Sequence, residues 1–140
     1  MFGSVNPRRQ GDLGEYSAVE WLGSRGYPVW IPFGHSPDCD LITEIGGRLV
    51  RVQVKTSTLR VKDRFQVALR TNGGNQSWTG VVKRFSADRC DWLFVLVGDG
   101  RRWFIPATEV GGATGIVLGG PKYAAHEVEP GRPLREPLAA

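Results

Sequence analysis

The chain has 140 residues, enough for one domain with its own core and too few for several. Hydrophobic residues make up 41% and charged residues 23%, which excludes a disordered chain, and no apolar run is long enough to span a bilayer. The formal net charge of +4 favours acidic partners such as nucleic acid, although many proteins of this size carry such a charge without binding DNA. No signal-like N-terminus is present, so a cytoplasmic protein without membrane association is expected. Cys39 and Cys90 give neither a disulfide framework nor a zinc pattern, and both read as small buried hydrophobes.

Residues 1–10 read as an irregular arm with two adjacent arginines, Arg8 and Arg9, which suit phosphate contacts or a solvated terminus equally. Residues 12–25 read as a helix, with Asp12 as N-cap and Gly26 just past its end. Glu15 shares the inward face of that helix with Ala18, Val19 and Leu22. A carboxylate there needs a partner, because burying it unpaired is costly. A capping box from Asp12 to Glu15 explains the same spacing equally well. Tyr27 to Phe33 reads as a first strand, and its two prolines put it at an edge or a strand end. His35 lies in the following loop, where a lone histidine is more often solvated than functional.

Residues 39–45 and 48–56 form the most informative stretch. In the second run Val50, Val52 and Val54 alternate with Arg51, Gln53 and Lys55, the period of a strand with one buried face. Gly46-Gly47 between the runs is a hairpin-turn signal. Pairing about that turn puts Asp40 roughly opposite Gln53, within cross-strand reach. Carboxylate, amide oxygen and ammonium then gather in one patch, a combination able to hold a hard metal ion beside a scissile phosphate.

Arg64 to Arg70 alternates again and reads as a fourth strand, with the same sheet as its candidate place. Thr71 to Ser77 reads as a polar loop, and Trp78 to Phe85 as a short helix carrying Lys83 and Arg84. Asp91 to Val97, Gly98-Asp99-Gly100 and Arg101 to Pro106 read as a second hairpin. Thr108 to Gly120 is glycine-rich with one apolar stretch, and the last twenty residues hold four prolines and read as a loose tail. The expected organisation is therefore a basic arm over 1–10, one domain over 11–120 and a proline-rich tail over 121–140. The expected fold class is α/β (α+β), with a central mixed sheet flanked by helices.

Glu15, Asp40, Gln53 and Lys55, in that order and spacing, resemble the PD-(D/E)XK nuclease superfamily, whose core is that of the restriction endonucleases. Within it the likeness is strongest to the small intron-encoded homing endonucleases, in which Gln replaces the usual acid to give Gln-Val-Lys, as at 53–55. The likeness runs from about Gly11 to Pro106. It implies a Mg2+ site (Mn2+ as substitute) with Asp40 as central ligand, the Gln53 amide oxygen and the Val54 carbonyl beside it, and Glu15 helping to organise it. Lys55 would orient the attacking water or stabilise charge on the phosphate. Asp38 is the alternative to Asp40, because the literal Pro-Asp pair ends there. Asp40 is preferred for its thirteen-residue spacing to Gln53 and its place directly before Leu41-Ile42. Asp91 matches an aspartate that looks structural in these relatives.

The implied activity is metal-dependent endonucleolytic cleavage of double-stranded DNA, homing- or restriction-like. A Holliday-junction resolvase-like nuclease and a DNA-binding protein with a decayed site are the alternatives. Arg8, Arg9, Arg51, Lys83 and Arg84, with Arg101 and Arg102, are candidate phosphate contacts. A chain this short covers little DNA, so a homo-oligomer, dimer or tetramer, is expected for a long target.

Overall fold

The computed structural model describes residues 6–34, 39–72, 82–83 and 85–134. In chain order it contains α1 (Pro7–Ser24), β1 (Val29–Trp30), β2 (Leu41–Ile45), β3 (Arg48–Ser57), β4 (Arg60–Val61), β5 (Arg64–Ala68), β6 (Thr71–Asn72), β7 (Val82–Lys83), β8 (Trp92–Val97), β9 (Arg102–Pro106), α2 (Ala107–Val110), β10 (Gly115–Leu118), a 3-10 turn (Ala124–His126) and β11 (Glu127–Val128). The central sheet has six strands in the order β1-β2-β3-β8-β9-β11. Only β3 and β8 run parallel within it; the other neighbours are antiparallel, so the sheet is mixed as expected.

The β2–β3 hairpin turns on Gly46 and Gly47, both at positive φ (60° and 80°), the pair of angles a tight hairpin turn demands. Val52 and Leu41 pair across it and face the same side. On that side α1 packs, burying Ala18, Trp21 and Leu22 against Leu41, Val52 and Phe94. The opposite side of β8 and β9 is also apolar, through Leu93, Val95, Trp103 and Ile105, and needs a second cover. A separate sheet, β10-β5-β4, supplies it with Phe65, Val67, Ile116 and Leu118.

That second sheet corrects the expected place of the strand at Arg64. It is β5, and it leaves the central sheet because its Phe65–Val67 face is needed as cover rather than as an extension. Four further expectations change. The helix begins at Pro7, not after Asp12: the Asn6 side chain caps it by accepting the Arg9 N–H at 2.8 Å, and proline is preorganised for the first position. Residues 7–10 of the expected arm are therefore the helix's first turn, and the Asp12–Glu15 capping box does not form. Val82–Lys83 pairs with Thr71–Asn72 as a short ribbon rather than joining a helix; residues 73–81 and Arg84 lie outside the described residues. Cys39 is only partly buried, whereas Cys90 is buried as expected, with its thiol pushed up to about 12 chiefly by burial.

Finally, residues 121–134 are not loose. Tyr123 and Leu134 are buried in the two cores, and β11 adds to β9 at the sheet edge. Arg102, 3% exposed, is the hub of this docking. Its guanidinium donates to the Glu129 carbonyl (2.7 Å), the Pro130 carbonyl (3.4 Å) and Ser17 on α1, and pairs with Glu20. The Trp21 indole N–H donates to Glu129 Oε2 at 2.6 Å. A buried cation is tolerable only with such a full set of acceptors. Proline content misled the reading because these backbone carbonyls, not helix or strand propensity, order the segment.

Candidate active site

The site forms where β2 stops short of β3. The register of β2 on β3 runs from Ile45↔Arg48 to Leu41↔Val52, while β3 continues to Ser57 paired only with β8 on its other side. A notch is left at the edge of β3 beyond Val52. Asp40, one residue past β2, fills its mouth. Its N–H donates to the Val52 carbonyl (2.9 Å), and its Oδ2 accepts the Val54 N–H (2.7 Å). A residue's N–H and C=O turn to the same side of a strand, so the Val54 carbonyl also faces the notch.

The regular register ends at Leu41↔Val52; beyond it the Asp40 N–H turns to the same Val52 carbonyl, so Asp40 departs from the position opposite Gln53 that the hairpin pattern gives. Gln53 and Lys55 alternate with Val52 and Val54, so they point away from α1 and the valines toward it. Glu15 comes from α1, on the other side of the sheet, and lies within electrostatic reach of Asp40. Gly14 makes this possible. A Cβ at Gly14 would overlap Thr56 Cγ2 and come within 3.2 Å of Val54 Cγ1, so only glycine lets α1 lie this close to β3. Gln10 fixes the same contact by donating to Thr56 Oγ1 at 3.0 Å. No residue-type signal marks Gln10; its role follows from the extra helical turn that the Asn6–Pro7 start provides.

The electrostatics centre on Asp40. Burial raises the Glu15 carboxyl above its ordinary value, and the charges of Asp40 and Asp12 raise it further. Burial lowers the Lys55 ammonium, while Asp40 pulls it back up. The structure therefore brings Glu15, Asp40 and Lys55 within electrostatic reach of one another, with Gln53 and Val54 on the strand between. Asp38 and His35 lie outside the described residues.

The basic residues divide. Arg8 and Arg9 are exposed on the first turn of α1. Arg51 is engaged otherwise: its guanidinium meets both Asp91 oxygens at 3.2 Å and the Asp88 carbonyl at 3.0 Å, and its backbone N–H donates to Asp91 Oδ2 at 2.7 Å. Asp91 thus joins the start of β8 to β3. Arg101 is held by both oxygens of Glu127 and lies over the Trp103 ring. Arg102 is buried in the docking described above, which corrects its expected phosphate contact. The Lys83 side chain and Arg84 lie outside what is described.

Among the described residues no three His, Cys, Asp or Glu side chains cluster to hold a metal. The residues that could hold one are Asp40 and Glu15, which interact electrostatically, with the Gln53 amide and the Val54 carbonyl as candidates on β3. An all-oxygen set of this kind fits a hard cation such as magnesium and not a soft one.

The family model for the PD-(D/E)XK endonuclease family matches residues 5–119. Among solved structures the chain is similar to that of a bacterial homing endonuclease, I-Ssp6803I. The TM-score is 0.68 and the identity 20%, over 89% of this chain and 88% of that one, a likeness that shows the fold. The comparison with curated proteins gives no match.

Proposed function

From the premise that the chain belongs to the PD-(D/E)XK endonuclease family, we propose that it is a magnesium-dependent endonuclease of double-stranded DNA, homing- or restriction-like, acting as a homo-oligomer. The observation that carries this reading is the clamp of Asp40 by Val54 between Gln53 and Lys55. Asp40, Gln53, Glu15 and the Val54 carbonyl would hold the cation, which supplies charge relief on the phosphate and activation of water.

The chain's own residues do the rest. The Val54 N–H fixes the Asp40 carboxylate against rotation, so the acid is aimed before substrate arrives. Lys55, partly desolvated, presents its ammonium to the charge that develops on the phosphate, where low solvation strengthens the interaction. Gln53 contributes an oxygen without adding a third negative charge beside Asp40 and Glu15. Arg8 and Arg9, exposed at the start of α1, suit contacts to the flanking backbone. Among the described residues no helix is long and apolar enough to cross a membrane.

The test is nicking of supercoiled plasmid with magnesium, with manganese and with chelator. Cleavage that disappears on chelation and returns with either ion is expected. Persistent cleavage under chelation overturns the metal dependence, and binding without cleavage in any ion favours the decayed-site alternative.

A further inference from the structure

Three aliphatic or aromatic side chains stand exposed on one short segment: Trp30 at 48%, Ile31 at 69% and Phe33 at 109%. The neighbouring Tyr27 and Val29 pack on the core under α1, but Trp30 does not. The register tells where it points. Trp30 pairs with Ile42, and Ile42 with Arg51. Directly paired residues share a face of the sheet, so Trp30 stands on the face of Gln53 and Lys55. Its partner Ile42 is two residues from Asp40, so Trp30 lies beside the start of β2, where the chain leads in from Asp40.

Strand addition by a second copy of this chain is the obvious use of such an edge, but against that the edge is guarded. Pro28 and Pro32 flank the two-residue strand β1, and neither has an N–H to offer a partner strand. The half-exposed Trp30 indole shares its sheet face with Gln53 and Lys55, two strands away. Building on the endonuclease reading, we propose that Trp30 is a base-stacking site that receives an unpaired nucleobase next to the scissile phosphate. Bases within a duplex show only their edges, so an aromatic face can take one only after it has left the stack. The substrate class is therefore DNA that presents, or readily yields, an unstacked base beside the cut.

The experiment measures fluorescence anisotropy of two labelled duplexes, one fully paired and one with a single unpaired adenine, with calcium replacing magnesium. The proteins are wild type, Trp30→Phe and Trp30→Ala. Wild type and Trp30→Phe are expected to prefer the unpaired probe. Trp30→Ala is expected to lose about tenfold in affinity for that probe and nothing for the paired one. Equal affinities of wild type and Trp30→Ala for the unpaired probe overturn the proposal, as does equal loss on both probes. A change in gel-filtration volume on Trp30→Ala also overturns it, by showing a subunit contact instead. Plasmid nicking by wild type is read separately: if nicking is absent while the stacking preference holds, the endonuclease reading fails and the stacking site stands.

Discussion

Val54 donates its backbone N–H to the carboxylate of Asp40 at 2.7 Å, so the strand that carries Gln53 and Lys55 also sets the direction of the acid. Asp40→Asn keeps an oxygen for that hydrogen bond and removes the charge. The fold should be unchanged by circular dichroism, and plasmid cleavage should fall by about a hundredfold or more. Retained activity would move the central acid elsewhere, with Asp38 next to be tested.

Lys55→Met keeps the apolar stem and removes the ammonium. Because burial already disfavours the charged form of Lys55, the variant should be at least as stable as wild type. Its cleavage rate should drop by about a hundredfold or more. A stable, fully active Lys55→Met protein would show that the notch is not the reaction centre.

Gln53 separates two roles by a pair of substitutions. As an oxygen ligand, Gln53→Ala should raise the magnesium midpoint for cleavage, while Gln53→Glu should hold or lower it. As a structural amide, Gln53→Glu would be the harmful change, because it cannot donate and adds charge near Asp40. An unchanged midpoint in Gln53→Ala with an inactive Gln53→Glu refutes the ligand role.

Gly11 and Gly14 occupy the same helix with opposite consequences. Nothing lies within 4 Å of a Cβ at Gly11, so Gly11→Ala should stabilise by about 0.5–1 kcal/mol through helix propensity. At Gly14 the same gain meets the overlap with Thr56, and overpacking costs about 1–3 kcal/mol. Gly14→Ala should therefore lower the urea midpoint, and it should reduce cleavage because Glu15 moves with the helix.

Asp91 gives a pH signature. Its hydrogen bond with Arg51 holds the carboxyl below the usual value in the folded state. A carboxyl lowered by folding contributes stability above its unfolded value of about 4 and loses it as pH falls through the folded value. Wild type should lose part of its stability below about pH 4, and Asp91→Asn should lack that part of the dependence, being less stable at neutral pH. Parallel pH–stability curves for the two proteins would contradict the pairing.

The β2–β3 hairpin and its register were legible because strand alternation and a Gly-Gly turn are local signals. The β8–β9 hairpin was legible for the same reason. Counting residues about the turn brought Asp40 to β3, but not its hydrogen bonds to Val52 and Val54. What was hidden depends on distant partners. That β5 forms a second sheet follows from β8 being apolar on both faces, which the run Trp92 to Val97 contains but does not by itself interpret. That Glu15 approaches from the other side of the sheet depends on Gly14 meeting Thr56, forty-odd residues away. The pairing of Arg51 with Asp91 and the burial of Arg102 were hidden because a sequence shows charge and not the acceptors around it.

The docking of residues 127–134 has a consequence for the order of events during synthesis. Trp21 and Glu129 are 108 positions apart, and Ser17 and Arg102 are 85 apart. A ribosome therefore finishes α1 long before the carbonyls of Glu129 and Pro130 exist to receive Arg102. Until they emerge, the nascent chain holds a guanidinium with part of its acceptor set missing, and burying it is unfavourable. The contact of Trp21 with Glu129 and the full acceptor set of Arg102 are thus added after the strands that form the notch have been made.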